Sequence, residues 1–127
     1  MTFARIDSGK SGEEQAVSYL RKEGYKIIER NYRTKLGEID IIAEHKGYIC
    51  FVEVRAKNNP VFGLPEETIV KKKQLQISKA ALMYIKSRGL EDRNCRFDVV
   101  SVKGVDSPNP QIKLIKNAFE LDPRYSY

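Results

Sequence analysis

Only two cysteines and one histidine occur in the 127 residues, and no apolar run approaches the roughly 20 residues that a membrane-spanning helix needs. Cys50 and Cys95 stand in strand-like runs without CxxC spacing, which argues against a zinc or dithiol centre and suits two reduced structural thiols. The start, MTFARIDSGKSGEEQ, lacks the apolar segment of a secretory signal, so the chain is expected in the cytoplasm, away from membranes. There is no repeat, no low-complexity segment, no glycine-rich phosphate loop and no Ser-His-Asp arrangement. His45, alone and in a turn, is expected to be a structural surface residue.

What is present is an ordinary globular composition with 41% hydrophobic and 31% charged residues, too apolar for a disordered chain. The length suits one domain, 1–127, with its core over about 11–118 and a C-terminal tail at 119–127. Twenty-three Lys and Arg against seventeen Asp and Glu give a net charge of +6, a balance compatible with a polyanionic partner.

Ser11 and Glu14 have capping-box spacing, which predicts a helix over about 11–23, with Ala16, Val17 and Leu20 as its apolar stripe and Gly24 ending it. Strands are expected at 25–33, 37–43 and 48–56, followed by a loop at NNPVFGLP. Pro65, Glu66 and Glu67 suit the first turn of a second helix whose buried face carries Val70, Ile77, Ala81 and Ile85 and whose stop is Gly89. CRFDVVSV (95–102) and QIKLIKNAF (111–119) read as a fourth and a fifth strand.

Asp40 and Glu53 interrupt the apolar runs of the second and third strands. A two-residue turn at Lys46-Gly47 puts Asp40 directly opposite Glu53, whereas a four-residue loop at 44–47 makes them diagonal neighbours. Either way they are expected on one sheet face, because side chains alternate with period two. Two such acids either balance a cation such as Arg55 on an exposed face or hold a divalent metal. Glu13, three residues before Ala16 and four before Val17, is aimed at the same sheet or is simply a first-turn acid.

Lys71, Lys72 and Lys73 begin the second helix, with Lys79 and Lys86 further along, and Arg30, Arg33 and Lys35 flank the first hairpin. They read either as a solvated surface or as salt-sensitive contacts to a DNA backbone. Tyr32 and Tyr48 are candidates for base stacking, with packing the simpler role. Asp98 is expected to make hydrogen bonds near the sheet edge.

SGEEQAVSYLRKEGYKIIERNYR, GEIDIIA, FVEVRAK, FGLPEETIVKKKQLQISKAALMYI and RFDVVSV together resemble the YraN-like family of small bacterial proteins, themselves similar to Holliday-junction resolvases of the PD-(D/E)XK superfamily. The resemblance covers about Gly12 to Val102. It implies an α/β fold with a restriction-endonuclease-like αβββαβ core, a mixed central sheet flanked by helices, and hydrolysis of phosphodiesters in DNA, including branched DNA, with Mg²⁺ or Mn²⁺. It also implies that Glu13, Asp40 and Glu53 are the metal ligands and that enzymes of this type act as homodimers. The apolar residues of NPVFGLP suit a dimer surface. Arg55 stands where the signature has lysine; arginine does not give up its proton, so Arg55 is left to stabilise charge, or Lys57 replaces the lysine. The alternatives are a catalytically silent nucleic-acid-binding module of the same fold and an interaction protein whose acids are only structural.

Overall fold

The computed structural model describes residues 2–57 and 71–120, with side chains over 11–56 and 71–120. The elements run α1 (Thr2–Lys22), β1 (Lys26–Arg33), β2 (Glu38–His45), β3 (Tyr48–Lys57), α2 (Lys71–Arg88), β4 (Asn94–Lys103) and β5 (Gln111–Phe119). The expected loop at NNPVFGLP, the apolar surface within it, and Val70 with the first turn at Pro65, Glu66 and Glu67 lie outside the described residues.

The five strands form one sheet in the order β1-β2-β3-β4-β5. Neighbours are antiparallel except β3 and β4, whose parallel pairing is joined by a crossover containing α2. The result is a mixed α/β sheet between two helices, consistent with an αβββαβ core extended by the edge strand β5.

Each helix packs on its own face. Cys50 and Val52 point from β3 into a core with Ala16, Val17 and Leu20 of α1. Ile49 and Phe51, one position out of phase, meet Ile77, Ala80, Ala81, Tyr84 and Ile85 of α2. A central strand buried on both faces explains the unbroken apolar runs of β3 and β4.

Both helices end as expected, at Gly24 and Gly89. Gly24 has φ 91°, its N–H donates to Arg21 O, and Tyr25 N–H reaches back to Leu20 O at 2.9 Å. Leu20 and Tyr25 share one core, which completes a Schellman end. The start of α1 differs from expectation. No proline stops the helix before Ser11, and the Ser11 hydroxyl accepts a bond from Gln15 Nε2 at 3.1 Å inside a continuing helix rather than capping it. Glu14, freed from a capping role, pairs with Arg30 at 2.9 Å.

Candidate functional site

Lys46 (φ 49°) and Gly47 (φ 87°) form the two-residue turn between β2 and β3, with both residues in the left-handed region that matches strand twist. His45 therefore pairs with Tyr48, and the register continues to Ile41 opposite Val52. One step further stand Asp40 and Glu53, as the shorter of the two expected turns requires.

At that step β2 leaves β3. Ile41 belongs to the core under α1, while Ile39, two residues away, belongs to the core under α2, so the period-two alternation fails across Asp40. The Asp40 carboxylate lies at the break, and Oδ2 accepts the Val54 N–H at 2.8 Å. A side chain thus takes the place of a ladder partner.

Glu53 is only 7% exposed and Asp40 is partly buried. Burial pushes the Asp40 carboxyl up to about 6; the Val54 N–H opposes this, the Glu13 charge adds to it, and Lys73 opposes it. Burial pushes Glu53 up to about 7, reinforced by the charge of Asp40 and opposed by Lys73 and Arg55. The two carboxylates behave as a pair that shares one environment.

Around them opens a cleft of about 890 Å³ lined by Glu13, Glu14, Arg30, Asn31, Arg33, Asp40, Glu53, Val54 and Ala56. Glu13 enters from α1, on the helix face expected to meet the sheet. That helix comes close because Gly12 has no side chain: a Cβ there would stand 2.6 Å from the Cβ of Ala56 in β3.

The basic residues divide into two groups. Arg30 turns inward, with Nη2 2.9 Å from Glu14 and 3.9 Å from Glu13. Lys73 reaches Glu53 across 3.8 Å from the first turn of the described part of α2. Both read from the sequence as either solvated or DNA-facing; within the fold they pair with acids of the cleft. Arg33 is 75% exposed beside Glu38, and Lys35, Lys71 and Lys72 are exposed. Arg55 is half-buried and contributes a favourable charge to Glu53, whereas the side chain of Lys57 lies outside the described ones. Among the described residues no three His, Cys, Asp or Glu side chains stand together as a ready metal cluster.

The other end of the sheet holds charged chemistry of a different kind. Asp98 is fully buried, in the interior strand β4 and not near the sheet edge. It accepts bonds from Arg96 Nε (2.9 Å), Tyr25 OH (2.9 Å) and the Asn117 N–H (2.9 Å). His45 is buried, not superficial: its ring stacks on Tyr25 at 4.1 Å and its Nδ1 lies 3.3 Å from Arg96 Nη2. Burial, then the positive charges of Lys116 and Arg96, hold its pKa below the ordinary histidine value. Both oxygens of Asp98 accept internal bonds, as a buried carboxylate in a structural network should. Tyr32 packs within the protein, edge-on to Tyr84, whereas Tyr48 is exposed, with the Arg96 guanidinium over its ring.

Residues 12–102 match the uncharacterised protein family UPF0102. The chain belongs to this family. The UPF0102 match runs from Gly12 of α1 to Val102 of β4 and so contains every residue that walls the cleft. A UPF0102 protein of Persephonella marina is 49% identical over 90% of this chain and 94% of its own length. One from Desulfosudis oleivorans is 48% identical over 96% and 97%, and one from Syntrophus aciditrophicus 46% over 91% of each. No helix among the described residues is long and apolar enough to cross a membrane.

Proposed function

We propose that this UPF0102 chain is a metal-dependent endonuclease that hydrolyses phosphodiester bonds in DNA, branched DNA included. The observation that carries this reading is the pair Asp40 and Glu53: two carboxylates on adjacent strands, both held above their ordinary pKa, opening into a cleft that also contains Glu13 and two arginines. Buried like charges are costly, and a fold that keeps them beside an open cleft is suited to receiving a cation there.

The donor set fits a hard divalent ion. It is all oxygen, and Mg²⁺ needs only one or two carboxylates when water and substrate phosphate complete its shell. Asp40 and Glu53 are the ligands best supported; Glu13, which lies 3.9 Å from Arg30, is the third candidate. Mg²⁺ or Mn²⁺ bound there supplies a polarised phosphoryl oxygen and a water of lowered pKa.

The chain's own residues do the rest. Lys73 and Arg30 carry positive charge to the cleft, where it opposes the negative charge that grows on the phosphorane-like transition state. Arg55 remains protonated and acts through charge, with Lys57 the alternative on the same strand. Arg33, Lys35, Lys71 and Lys72 hold the DNA backbone and position it without reading bases. Cutting both strands of a junction calls for two such sites and therefore a homodimer.

A titration with Mn²⁺ followed by calorimetry tests the site. Wild type binds Mn²⁺, and Asp40→Asn and Glu53→Gln each weaken it at least about tenfold. Equal affinity in all three proteins would remove the metal from the reading. Metal binding without turnover would favour the silent DNA-binding module, for which the engagement of Glu13 by Arg30 is the supporting contact.

A further inference from the structure

We propose that Asn31 is the positioning residue of the cleft: its left-handed backbone rolls the β1–β2 hairpin and so aims the Asp40 carboxylate at the Val54 amide. Asn31 lies inside β1 yet has φ 55°, a conformation that asparagine and glycine tolerate and β-branched residues resist. The pairs Arg30–Ile41 and Tyr32–Ile39 bracket it, so Asn31 stands opposite Asp40.

The side chains on either side show the roll. Arg30 reaches Glu13 and Glu14 on the α1 face, whereas Tyr32 packs edge-on against Tyr84 on the α2 face. Residues two apart in a flat strand share a face, and these do not. Ile41 and Ile39 switch faces at the same step on the paired strand. Beyond the roll the hairpin tip is seated on α2: a Cβ at Gly37 would lie 2.4 Å from the backbone O of Gln76. With β2 drawn toward α2, the Val54 N–H loses its strand partner, and the Asp40 carboxylate takes it. A single backbone conformation therefore sets the direction of the central acid and sends Arg30 into the cleft.

That Asp40 is a metal ligand rests on the function proposed above; that Asn31 aims it does not, and the test separates the two. The Val54 amide is followed by NMR, as its proton shift and its hydrogen exchange, in metal-free protein, and Mn²⁺ affinity is measured beside it. In Asn31→Gly the Val54 amide stays downfield and protected and Mn²⁺ affinity stays within about twofold of wild type. In Asn31→Val the Val54 amide moves upfield and exchanges at least about tenfold faster, while core amides such as those of Val52 and Val100 remain protected, and Mn²⁺ affinity falls about tenfold. Asn31→Ala gives an intermediate loss and serves if the valine variant does not fold. An unchanged Val54 amide in Asn31→Val, or in Asn31→Ala when valine fails, overturns the inference. Loss of the signal in Asn31→Gly overturns it too, because the side chain rather than the backbone would then be responsible. If wild type binds no Mn²⁺, the proposed function fails while the Val54 amide still decides the role of Asn31.

Discussion

Lys73 Nζ lies 3.8 Å from Glu53 Oε1, so a cation on α2 is set against an acid of β3 that lines the cleft. Helix and sheet thereby meet at the pair of carboxylates, and the charges that keep Glu53 from rising further come first from Lys73 of α2 and then from Arg55 of its own strand.

Removing that cation separates binding from turnover. Lys73→Gln leaves Asp40 and Glu53 without their α2 counter-charge, so Mn²⁺ meets less competition and binds a few-fold tighter. Cleavage slows by about 10- to 100-fold, because a positive group near the developing phosphate charge is gone. Parallel calorimetry and single-turnover cleavage check both directions. Weaker Mn²⁺ binding in Lys73→Gln would show that Lys73 does not oppose the metal.

Stability should depend on pH with a defined sign. The folded pKa values of Asp40 and Glu53, about 6 and about 7, lie above the ordinary 3.8 and 4.5, so the folded protein binds more protons than the unfolded one in between. The pair's contribution is most favourable below about pH 4 and is lost as pH rises through 6 to 7. Metal-free wild type therefore loses on the order of 4 kcal/mol between pH 5 and pH 8 relative to the double variant Asp40→Asn, Glu53→Gln. Urea unfolding of both proteins at the two pH values measures this. Added Mg²⁺ restores wild type at pH 8 and leaves the double variant unaffected.

Asp98, the fully buried aspartate, should behave differently from Asp40. Asp98→Asn leaves Arg96 facing a neutral side chain in a site that excludes water, and costs about 3 kcal/mol of stability. Tyr25→Phe, which removes one hydroxyl from the same network, costs about 1 kcal/mol. Neither change touches the cleft, so Mn²⁺ affinity stays at the wild-type value; a loss of affinity would mean that the network and the cleft are coupled.

A space constraint governs Glu13. In Gly12→Ala the added methyl meets Ala56 at 2.6 Å, so α1 is displaced from β3. Stability falls by about 1–3 kcal/mol, and the second change Ala56→Gly recovers most of it. Thermal unfolding of the two single variants and the double variant provides the cycle.

Much of this architecture is legible in the residues. That Asp40 and Glu53 approach each other followed from the hairpin length under either of the two turns the residues admit; the choice between them is made by the structure, where Lys46 and Gly47 both take positive φ and His45 pairs with Tyr48. Glycines 24 and 89 mark both helix ends for the same local reason. Features created by tertiary contact are less visible. His45 follows a hairpin pattern that looks solvent-facing, and only the packing of Tyr25 against it makes the position buried. Lys73 sits in a run of three lysines that reads as a solvated surface; its distinction is the phase of α2, which points it and not Lys71 toward Glu53. The roll at Asp40 violates the alternation used to place the acids. Its one local signal is an asparagine inside a strand, at Asn31, since asparagine is a residue that accepts a left-handed backbone. The start of α1 was obscured by a Ser-x-x-Glu spacing that the continuing helix puts to other uses.

The most direct measurement is cleavage of labelled four-way-junction, duplex and single-stranded DNA with Mg²⁺ or Mn²⁺, comparing wild type with Asp40→Asn and Glu53→Gln. The account predicts metal-dependent cleavage by wild type that both substitutions abolish. Absence of cleavage on every substrate by folded, metal-loaded wild type, or cleavage that survives both substitutions, would contradict it.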